Sequence, residues 1–355
     1  MDAPEALVDA LRWQGASCAA MGSPFSGALL DRVAVALIDR PSLRAAFAPW
    51  WNLSRQALFA DAVALRWLGA LHDLALEAPG DALAATYPGG GRPGDADRAW
   101  PLVLEAMDGN PARIVDFMRH EPQTNEVRRS AVLLPGFLTV AAQTSLPLRI
   151  LELGASAGLN QLWDQRRYRL GELGEWGPPA ARVRLDIEWR GGPPSLAANV
   201  RVEGRAACDR KPVDLADPVQ RRRLRAYIWP DQTDRLERLD AAIAETLAAG
   251  IAVEAQDAFV WARREARPRP GVAVVVFHSA FFGYMPAENQ AALVEFLADA
   301  GSHADPTAPL AWLRMEPPTD NPAMMELRLT LWPGGEDRRL ATAHPHGAWI
   351  EWATE

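Results

Sequence analysis

The residues with the clearest potential for chemistry lie in one short segment, ILELGASAGLN at residues 150–160. An apolar run typical of a buried strand leads into an acidic residue, Glu152, and a turn of small residues follows. Gly154 and Gly158, with Ser156 between them, leave room for a ligand to approach the backbone. Ligands of open α/β sheets bind beyond the carboxyl ends of the strands. The segment therefore predicts a site for a nucleotide-like cofactor.

Two enzyme classes share this pattern of residues. The order acid-x-Gly-x-small-x-Gly resembles the first motif of class I S-adenosylmethionine-dependent methyltransferases, in which the acid helps to hold the methionine part of the cofactor. Residues 154–158 also spell G-x-S-x-G, the nucleophile elbow of α/β-hydrolases, which makes Ser156 a candidate nucleophile. The acid of such a hydrolase would be Asp257, and its histidine would be His278, His344 or His346. A purely structural turn is the third interpretation.

The surrounding sequence favours a cofactor-binding turn over a hydrolase. A nucleophile elbow lies in the middle of its sheet, whereas here a long, largely helical region precedes the turn and the candidate strands follow it. The oxyanion motif His-Gly-Gly-Gly does not occur in the sequence. The hydrolase interpretation also gives Glu152 no role, whereas the cofactor interpretation uses it.

A carboxylate that binds ribose is expected at the end of the second strand of such a fold, because two acceptor oxygens suit a vicinal diol. Asp209, in the segment CDRKP, resembles the strand-end acid of the methyltransferases. It lies much farther beyond Gly158 than the usual spacing of about 20 residues, so an inserted hairpin at about 168–196 is expected. Asp186 and Glu188 are the alternative ribose ligands, and an ordinary turn carboxylate is the structural alternative for Asp209.

Two later strand ends complete the candidate site. Asp257 resembles the methyltransferase residue that binds the adenine amino group, with Ala258 in the apolar wall beside the ring; a helix N-cap is the alternative. His278 ends the run VVVFH and is the candidate catalytic residue, because a histidine there can take a proton from a substrate nucleophile. A buried, hydrogen-bonded histidine is the alternative. The polar residues 123–129 (QTNEVRR) are a further segment that can reach the site.

The elements that must position these residues change in character near residue 146. Before it, apolar residues recur at three- and four-residue spacing, which predicts helices; the clearest covers residues 54–76, with Ser54 as its N-cap. After it, short apolar or alternating runs predict strands between helices, hence a mostly parallel sheet covered by helices on both faces. A helix is expected from Leu159 to about Arg167, and residues 325–332 and 347–352 predict a late antiparallel hairpin.

Composition excludes several classes of function. The net charge of −8 weighs against binding nucleic acid by phosphate neutralisation. Two cysteines, Cys18 and Cys208, cannot form a disulfide framework or a cysteine zinc site. The single lysine, Lys211, lies in none of the settings that P-loop enzymes, kinases or Schiff-base enzymes need. No apolar run approaches the length of a membrane helix and no secretory signal is visible, so a cytoplasmic location without a membrane partner is expected.

Several longer segments, among them TNEVRRSAVLLPGF, LELGASAGLN and VVVFHSAFFGYMP, together resemble an uncharacterised bacterial family known as domain of unknown function 2332. The similarity extends over nearly the whole chain. This resemblance brings no established activity, but the second half of the family is similar to the class I methyltransferase fold. The resemblance therefore implies the same order of strands, including the late antiparallel hairpin.

The sequence thus predicts an α/β protein with a helical lid or substrate domain at residues 1–145 and a Rossmann-like, methyltransferase-type domain at residues 146–355, with a cleft between them. The predicted cofactor is S-adenosylmethionine, and the acceptor is a small molecule or a protein. The alternatives are a non-catalytic protein that binds a nucleoside metabolite and a serine hydrolase. The predicted cofactor-binding residues are Glu152, Gly154, Ser156, Gly158, Asn160, Asp209, Asp257 and Ala258.

Overall fold

The structure, a computed structural model, describes residues 5–192, 194, 196–321 and 323–353. It contains two compact units: the first comprises Met1–Thr124 and Asp214–Leu239, and the second comprises Asn125–Val213 and Asp240–Glu355. This division differs from the predicted boundary at residue 145, since residues 125–145 belong with the second unit and residues 214–239 with the first. Residues 1–4 of the predicted helical domain and residues 193 and 195 of the predicted insertion lie outside the described residues.

Helices and strands account for most of both units. The α-helices, in chain order, are α1 (Glu5–Ala20), α2 (Pro24–Ala36), α3 (Pro41–Phe47), α4 (Arg55–Ala60), α5 (Val63–Glu77), α6 (Ala96–Gly109), α7 (Pro111–Met118), α8 (Arg129–Thr144), α9 (Pro218–Ala226), α10 (Thr233–Ala248), α11 (Ala258–Glu265) and α12 (Ala287–Ser302). The strands are β1 (Leu148–Leu153), β2 (Arg167–Leu170), β3 (Glu175–Trp176), β4 (Arg184–Gly191), β5 (Val202–Asp209), β6 (Glu254–Ala255), β7 (Ala273–Ser279), β8 (Leu310–Glu316), β9 (Met325–Trp332), β10 (Asp337–Ala343) and β11 (Trp349–Trp352).

The first unit is helical, and one of its predicted helices is divided in two. The predicted helix over residues 54–76 is α4 followed by α5, because Ala62 adopts a left-handed φ of 48° and interrupts the helical backbone. Ser54 caps α4 as predicted, since its side chain accepts a hydrogen bond from the backbone N–H of Ala57 at 3.3 Å. Within the described residues, no helix is both long and apolar enough to cross a membrane.

A buried ionic cluster, here named the Asp73 cluster, joins three helices of the first unit. Asp73 on α5 is 5% exposed and accepts hydrogen bonds from Arg113 on α7 at 2.7 Å and from Arg222 on α9 at 2.8 Å. Glu77, one turn later on α5, pairs with the same two arginines. Both carboxylates therefore have cationic partners, and the cluster ties α5 to α7 and α9.

The second unit is built on a sheet whose strands lie in the order β3-β2-β4-β11-β10-β9-β8-β7-β1-β5-β6. The part β6-β5-β1-β7-β8 is parallel throughout. Numbered along the chain, these five strands have the order third, second, first, fourth, fifth, which is the arrangement of doubly wound α/β sheets. The α/β class predicted from the sequence is confirmed. Starting from β1, the chain adds strands first on one side, as β5 and β6, and then on the other, as β7 and β8. Ligands of doubly wound sheets bind where the order changes in this way, so the carboxyl end of β1 is the expected place for a ligand.

Helices cover both faces of this parallel part. On one face α8 packs against β7, β8 and β9, with Phe137 of α8 edge-on to Phe277 of β7. On the other face α11 and α12 cover a core that includes Leu151, Leu153 and Trp312. Because α8 packs on the sheet, it belongs to the second unit although it precedes β1 in the chain.

The remaining strands extend the sheet beyond β8. The late hairpin is formed by β9 and β10 around Gly334 and Gly335, rather than by residues 325–332 and 347–352, since β11 pairs with β10 on one side and with β4 on the other. The predicted insertion contains an antiparallel pair, β2 and β3, and the strand β4, which joins the sheet in parallel with β2 and β11. The sheet begins and ends at strands of two residues each, β3 and β6.

Candidate active site

The turn that follows β1, residues 154–158 and here named the β1 turn, has three residues in the left-handed region. Gly154, Ser156 and Gly158 have φ values of 65°, 55° and 71°. Glycine adopts such values without a steric penalty, whereas Ser156 does not. The neighbouring strand holds the turn in place, because the backbone N–H of Ser156 donates to Asp209 Oδ2 at 2.8 Å.

The segment after the β1 turn is a 3-10 helix, Leu159–Gln165, and not the predicted α-helix from Leu159 to about Arg167. Arg166 has extended backbone angles and is fully buried, and its guanidinium donates to the carbonyl oxygen of Leu159. That carbonyl is one that a continuing α-helix would use for its own hydrogen bond to Trp163. The buried arginine therefore replaces helical hydrogen bonding, and β2 begins immediately afterwards.

Glu152 is a buried carboxyl group with little compensation. It is 3% exposed, and Gln161 Nε2 donates a hydrogen bond to its Oε2 at 2.9 Å. Burial raises the pKa of Glu152 to about 8, with the hydrogen bond from Gln161 and the charge of Arg166 acting in the opposite direction. A cation placed beside Glu152 would favour its ionised form.

Two buried polar atoms in and just after the β1 turn lack hydrogen-bond partners. Ser156 Oγ and Gln161 Oε1 have no hydrogen-bond partner within the described part of the chain, and their residues are 8% and 1% exposed. Buried polar atoms in folded proteins nearly always have a partner. Other buried polar atoms, among them Ser42 Oγ and Thr246 Oγ1, also lack partners in the described residues, so it is the position of these two at the carboxyl end of β1 that makes them candidates for ligand contacts.

Asn160, also predicted to bind the cofactor, connects the 3-10 helix to the segment that precedes α8. Its Nδ2 donates to the carbonyl oxygen of Glu126 at 3.4 Å, and the backbone N–H of Leu159 donates to Asn125 Oδ1 at 3.0 Å. Asn125 itself has a left-handed φ of 38°. Asn125 and Glu126 of the polar segment 123–129 therefore contact the residues that follow the β1 turn.

Asp209, the predicted ribose ligand, ends β5 beside the β1 turn. Its Oδ1 accepts from the backbone N–H of Lys211 at 2.8 Å, and its Oδ2 accepts from Ser156. The alternatives Asp186 and Glu188 lie on β4, six positions from β1 in the order of the sheet, and form exposed ion pairs with Arg169 and Arg190. Of the three carboxylates, the structure brings Asp209 alone to the β1 turn.

Asp257 caps α11, which is the structural alternative stated for it. Its Oδ1 accepts from the backbone N–H groups of Phe259 and Val260 at 3.0 and 3.1 Å, and its Oδ2 accepts from Asn289 at 3.2 Å. Ala258 follows as a buried residue of α11. Asp257 lies just beyond β6, next to β5, so it is at the same edge of the sheet as Asp209.

His278 is buried and engaged through both ring nitrogen atoms. Trp312 Nε1 donates to His278 Nε2 at 3.0 Å, so the ring proton lies on Nδ1, which donates to Glu316 Oε1 at 2.6 Å. The nitrogen that a general base would use is therefore occupied by the indole. This arrangement corresponds to the buried, hydrogen-bonded alternative rather than to a free base for a substrate.

The two faces of the sheet separate the predicted residues. Glu152 alternates with Leu151 and Leu153, which face α11 and α12, so its side chain points to the face covered by α8. His278 alternates with Phe277, which contacts α8, so it points to the opposite face. The hydrolase triad is not assembled either, because Ser156 Oγ has no partner in the described chain and both nitrogen atoms of His278 are taken.

A buried polar network behind the β1 turn was not predicted from the sequence. Arg166 NH1 donates to Ser130 Oγ at 3.1 Å, and Tyr168 OH donates to the carbonyl oxygen of Trp163 at 2.6 Å. Gln161, which holds Glu152, belongs to the same region. A signal was present in the sequence, since DQRRY at residues 164–168 places three charged residues shortly after the turn.

One comparison with known proteins identifies the family. The chain matches a family model over residues 8–352, and the description of that family is "Uncharacterized protein conserved in bacteria (DUF2332)". The chain belongs to this family. No curated protein and no solved structure matches it. The resemblance to DUF2332 found in the sequence is thus confirmed, and the activity of this DUF2332 protein has to be argued from its site.

Proposed function

We propose that this chain binds S-adenosylmethionine at the β1 turn and transfers its methyl group to a small-molecule or protein acceptor. One observation carries the proposal: the buried atoms Ser156 Oγ and Gln161 Oε1 lack partners in the described structure, Ser156 lies in the β1 turn, and Gln161 holds the buried carboxyl of Glu152. They follow the central strand of a doubly wound sheet, where ligands of this architecture bind. A ligand there would supply the missing hydrogen bonds.

The chemistry of these three groups fits the methionine part of the cofactor. A carboxylate and an amide oxygen accept hydrogen bonds, as the ammonium group of an amino acid requires. The Ser156 hydroxyl can donate to its carboxylate. A positive charge near Glu152 would also offset the cost of burying that carboxyl group, which is visible in its raised pKa.

The strand ends beside β1 supply acceptors for the remainder of the molecule. Asp209 would hold the ribose hydroxyls and Asp257 the adenine amino group, with Ala258 beside the ring. Each carboxylate oxygen can accept more than one hydrogen bond, so the existing bonds to Asp209 and Asp257 leave acceptor capacity. The existing bonds also fix both carboxylates in position.

The protein's part in such a reaction is mainly alignment. When bound, S-adenosylmethionine supplies an already activated methyl carbon, so the chain has to orient the acceptor and exclude water. Glu152, Gln161 and Asp209 would fix the position of the cofactor. His278 is not proposed as the base, because its nitrogen atoms are both hydrogen-bonded.

A second candidate function is non-catalytic binding of a nucleoside metabolite at the same turn. The observation that favours it is the buried state of His278, which leaves the strand ends without the base that the sequence suggested. The two candidates share the binding site and differ in whether a methyl group is transferred.

Calorimetric titration of the purified chain with S-adenosylmethionine and S-adenosylhomocysteine tests both candidates. Asp209→Ala should weaken binding about tenfold to a hundredfold, as expected for lost hydrogen bonds to a charged group. Asp186→Ala is the matched control and should bind as the wild type does, because Asp186 is an exposed carboxylate that pairs with Arg169 of β2. Equal losses in the two variants would contradict the ribose assignment.

Transfer of a radiolabelled methyl group from S-adenosylmethionine into fractionated small molecules and proteins separates the two functions. Incorporation that is lost in Asp209→Ala supports methyl transfer. Tight binding without incorporation into any fraction favours the non-catalytic candidate. Absence of binding by the folded wild type at millimolar ligand contradicts both.

A further inference from the structure

The side chain of Phe281 covers the β1 turn at its first glycine. Gly154 has a φ of 65°, and a Cβ atom built on it would overlap the ring of Phe281. The ring therefore lies directly on the Gly154 backbone, in the space that makes this glycine useful to a ligand. Gly158, at the other end of the turn, is less closely covered: a Cβ there would lie 3.0 Å from methyl groups of Ile251 and Val253.

The backbone of Phe281 is held by a relay of buried side chains. Both carboxylate oxygens of Glu316 accept from the backbone N–H of Phe281, at 3.0 and 3.1 Å. Glu316 in turn accepts from His278 Nδ1, and His278 Nε2 accepts from the indole of Trp312. The relay Trp312–His278–Glu316 therefore ends at the one residue that covers Gly154, which gives the buried histidine a positioning role.

The segment that carries Phe281 has features of a movable element. Ala280, immediately before it, adopts a left-handed φ of 49°, a strained value for a residue with a side chain. Phe281 and Phe282 are only partly buried, and Tyr284 is 76% exposed. A rotation at Ala280 would lift the ring from Gly154 at the cost of the hydrogen bonds from Phe281 to Glu316 and of part of the packing of Phe281 on the core.

We propose that Phe281 is a gate on the β1 turn, held closed by the Trp312–His278–Glu316 relay, and that an adenosine-bearing ligand binds at Gly154 after this ring has moved. The inference rests on the proposed function for the identity of the ligand. Its structural basis, the contact between Phe281 and Gly154, is independent of that function. The gate sets both the affinity and the rate of ligand association.

Binding of S-adenosylhomocysteine to Phe281→Ala and Phe281→Leu tests the gate. When only the open molecules can bind, the measured dissociation constant equals the intrinsic constant divided by the open fraction. If about one molecule in ten is open, removal of the ring should therefore lower the measured constant about tenfold. Association to the wild type should approach a limiting rate at high ligand concentration, whereas association to Phe281→Ala should rise linearly. Surface plasmon resonance gives both quantities.

Phe296→Ala is the matched control, since Phe296 is another partly buried phenylalanine packed on the same core. It should leave affinity and rate unchanged. Glu316→Gln and Trp312→Phe should raise affinity about twofold to threefold, and should have no further effect in the Phe281→Ala background because they act through that ring.

The outcomes separate the gate from the proposed function. If the wild type and both Phe281 variants bind with equal affinity and equal rates, the gate is wrong and the proposed function stands. If neither the folded wild type nor the folded Phe281 variants bind, the gate and the proposed function are both wrong. Measurable binding by the wild type and tighter binding by the Phe281 variants supports both.

A double-mutant cycle tests the contact without any ligand. Gly154→Ala should lower the melting temperature by several degrees, partly through the left-handed backbone and partly through overlap with Phe281. In the Phe281→Ala background the second part should vanish, so the same substitution should cost less. Equal costs in the two backgrounds contradict the contact on which the gate depends.

Discussion

Two buried carboxyl groups, one in each unit, have opposite surroundings. Asp73 in the helical unit is 5% exposed and accepts hydrogen bonds from two arginines, which a neighbouring glutamate shares. Glu152 in the sheet unit is 3% exposed, and Gln161 provides its hydrogen bond while burial raises its pKa to about 8. The first carboxyl group has two arginine partners, whereas for the second the effect of burial outweighs the hydrogen bond from Gln161 and the charge of Arg166.

This difference separates a structural cluster from a candidate binding site. A buried charge that is fully paired holds its elements together, and nothing further is needed to explain it. The burial of Glu152 raises its pKa and costs stability in the free protein, and the Oε1 atom of Gln161, which holds this carboxyl group, has no partner in the described residues. Such a cost is typical of sites where a ligand completes the hydrogen bonding.

The largest expected effect is the loss of the Asp73 cluster. Asp73→Ala leaves Arg113 and Arg222 without their shared buried carboxylate, so the free energy of unfolding should fall by about 3 kcal/mol. Asp186→Ala removes an exposed pair and should cost less than about 1 kcal/mol. Urea denaturation measures both. Similar losses of stability in the two variants would show that the Asp73 cluster contributes no more than an exposed ion pair.

A change in stability of similar size is expected from the titration of Glu152. Here the native carboxyl group, and not its replacement, becomes destabilising as the pH rises. Its folded-state pKa of about 8 lies above the ordinary value of 4.5, so the folded protein retains a proton that the unfolded chain releases as the pH rises. The stability of the wild type relative to Glu152→Gln should therefore be highest below pH 4.5 and fall by about 3 kcal/mol between pH 5 and pH 8. Urea denaturation of both proteins across that pH range measures this. A difference that does not change with pH would show that Glu152 is compensated after all.

The smallest expected effect is at Ser156. Because its Oγ has no partner in the described structure, Ser156→Ala should change the free energy of unfolding by less than about 0.5 kcal/mol and weaken ligand binding severalfold. Ser130→Ala is the matched control: that hydroxyl is bonded to Val127 and Arg166, so its loss should cost about 1–2 kcal/mol. Thermal denaturation and calorimetry distinguish the two serines, and a larger loss of stability at Ser156 would indicate a structural hydroxyl.

The class of fold was predictable because helices and buried strands have different patterns of apolar residues along the sequence. Buried parallel strands such as β1 and β7 are continuous apolar runs, and these were located from the sequence. The break at Ala62 and the 3-10 helix after Gly158 were not predictable from periodicity, since one depends on a single left-handed residue and the other on the distant packing of Arg166. The pairing of β11 with β4 joins segments far apart in the chain, so it also left no local signal.

The candidate site was predictable in position more than in chemistry. Glu152, Gly154 and Asp209 lie at the carboxyl ends of β1 and β5. Because neighbouring parallel strands end at the same edge of the sheet, their proximity follows from the class of fold. What His278 contacts depends on which face of β7 it occupies and on Trp312 of the next strand. Neither can be inferred from a histidine at the end of an apolar run, and the same holds for the position of Phe281 over Gly154.

The two-residue strands β3 and β6 at the borders of the sheet have a consequence for the molecule in a crowded solution. A long unpaired border strand offers a row of free amide and carbonyl groups on which another chain can add a strand. At one border β6 pairs with Cys208–Asp209 of β5, so the β5 segment 202–207 is itself the border there, with β1 on its other side. Addition of a strand from another chain is therefore expected at this segment of β5, where Glu203 and Arg205 place charged side chains that oppose such pairing.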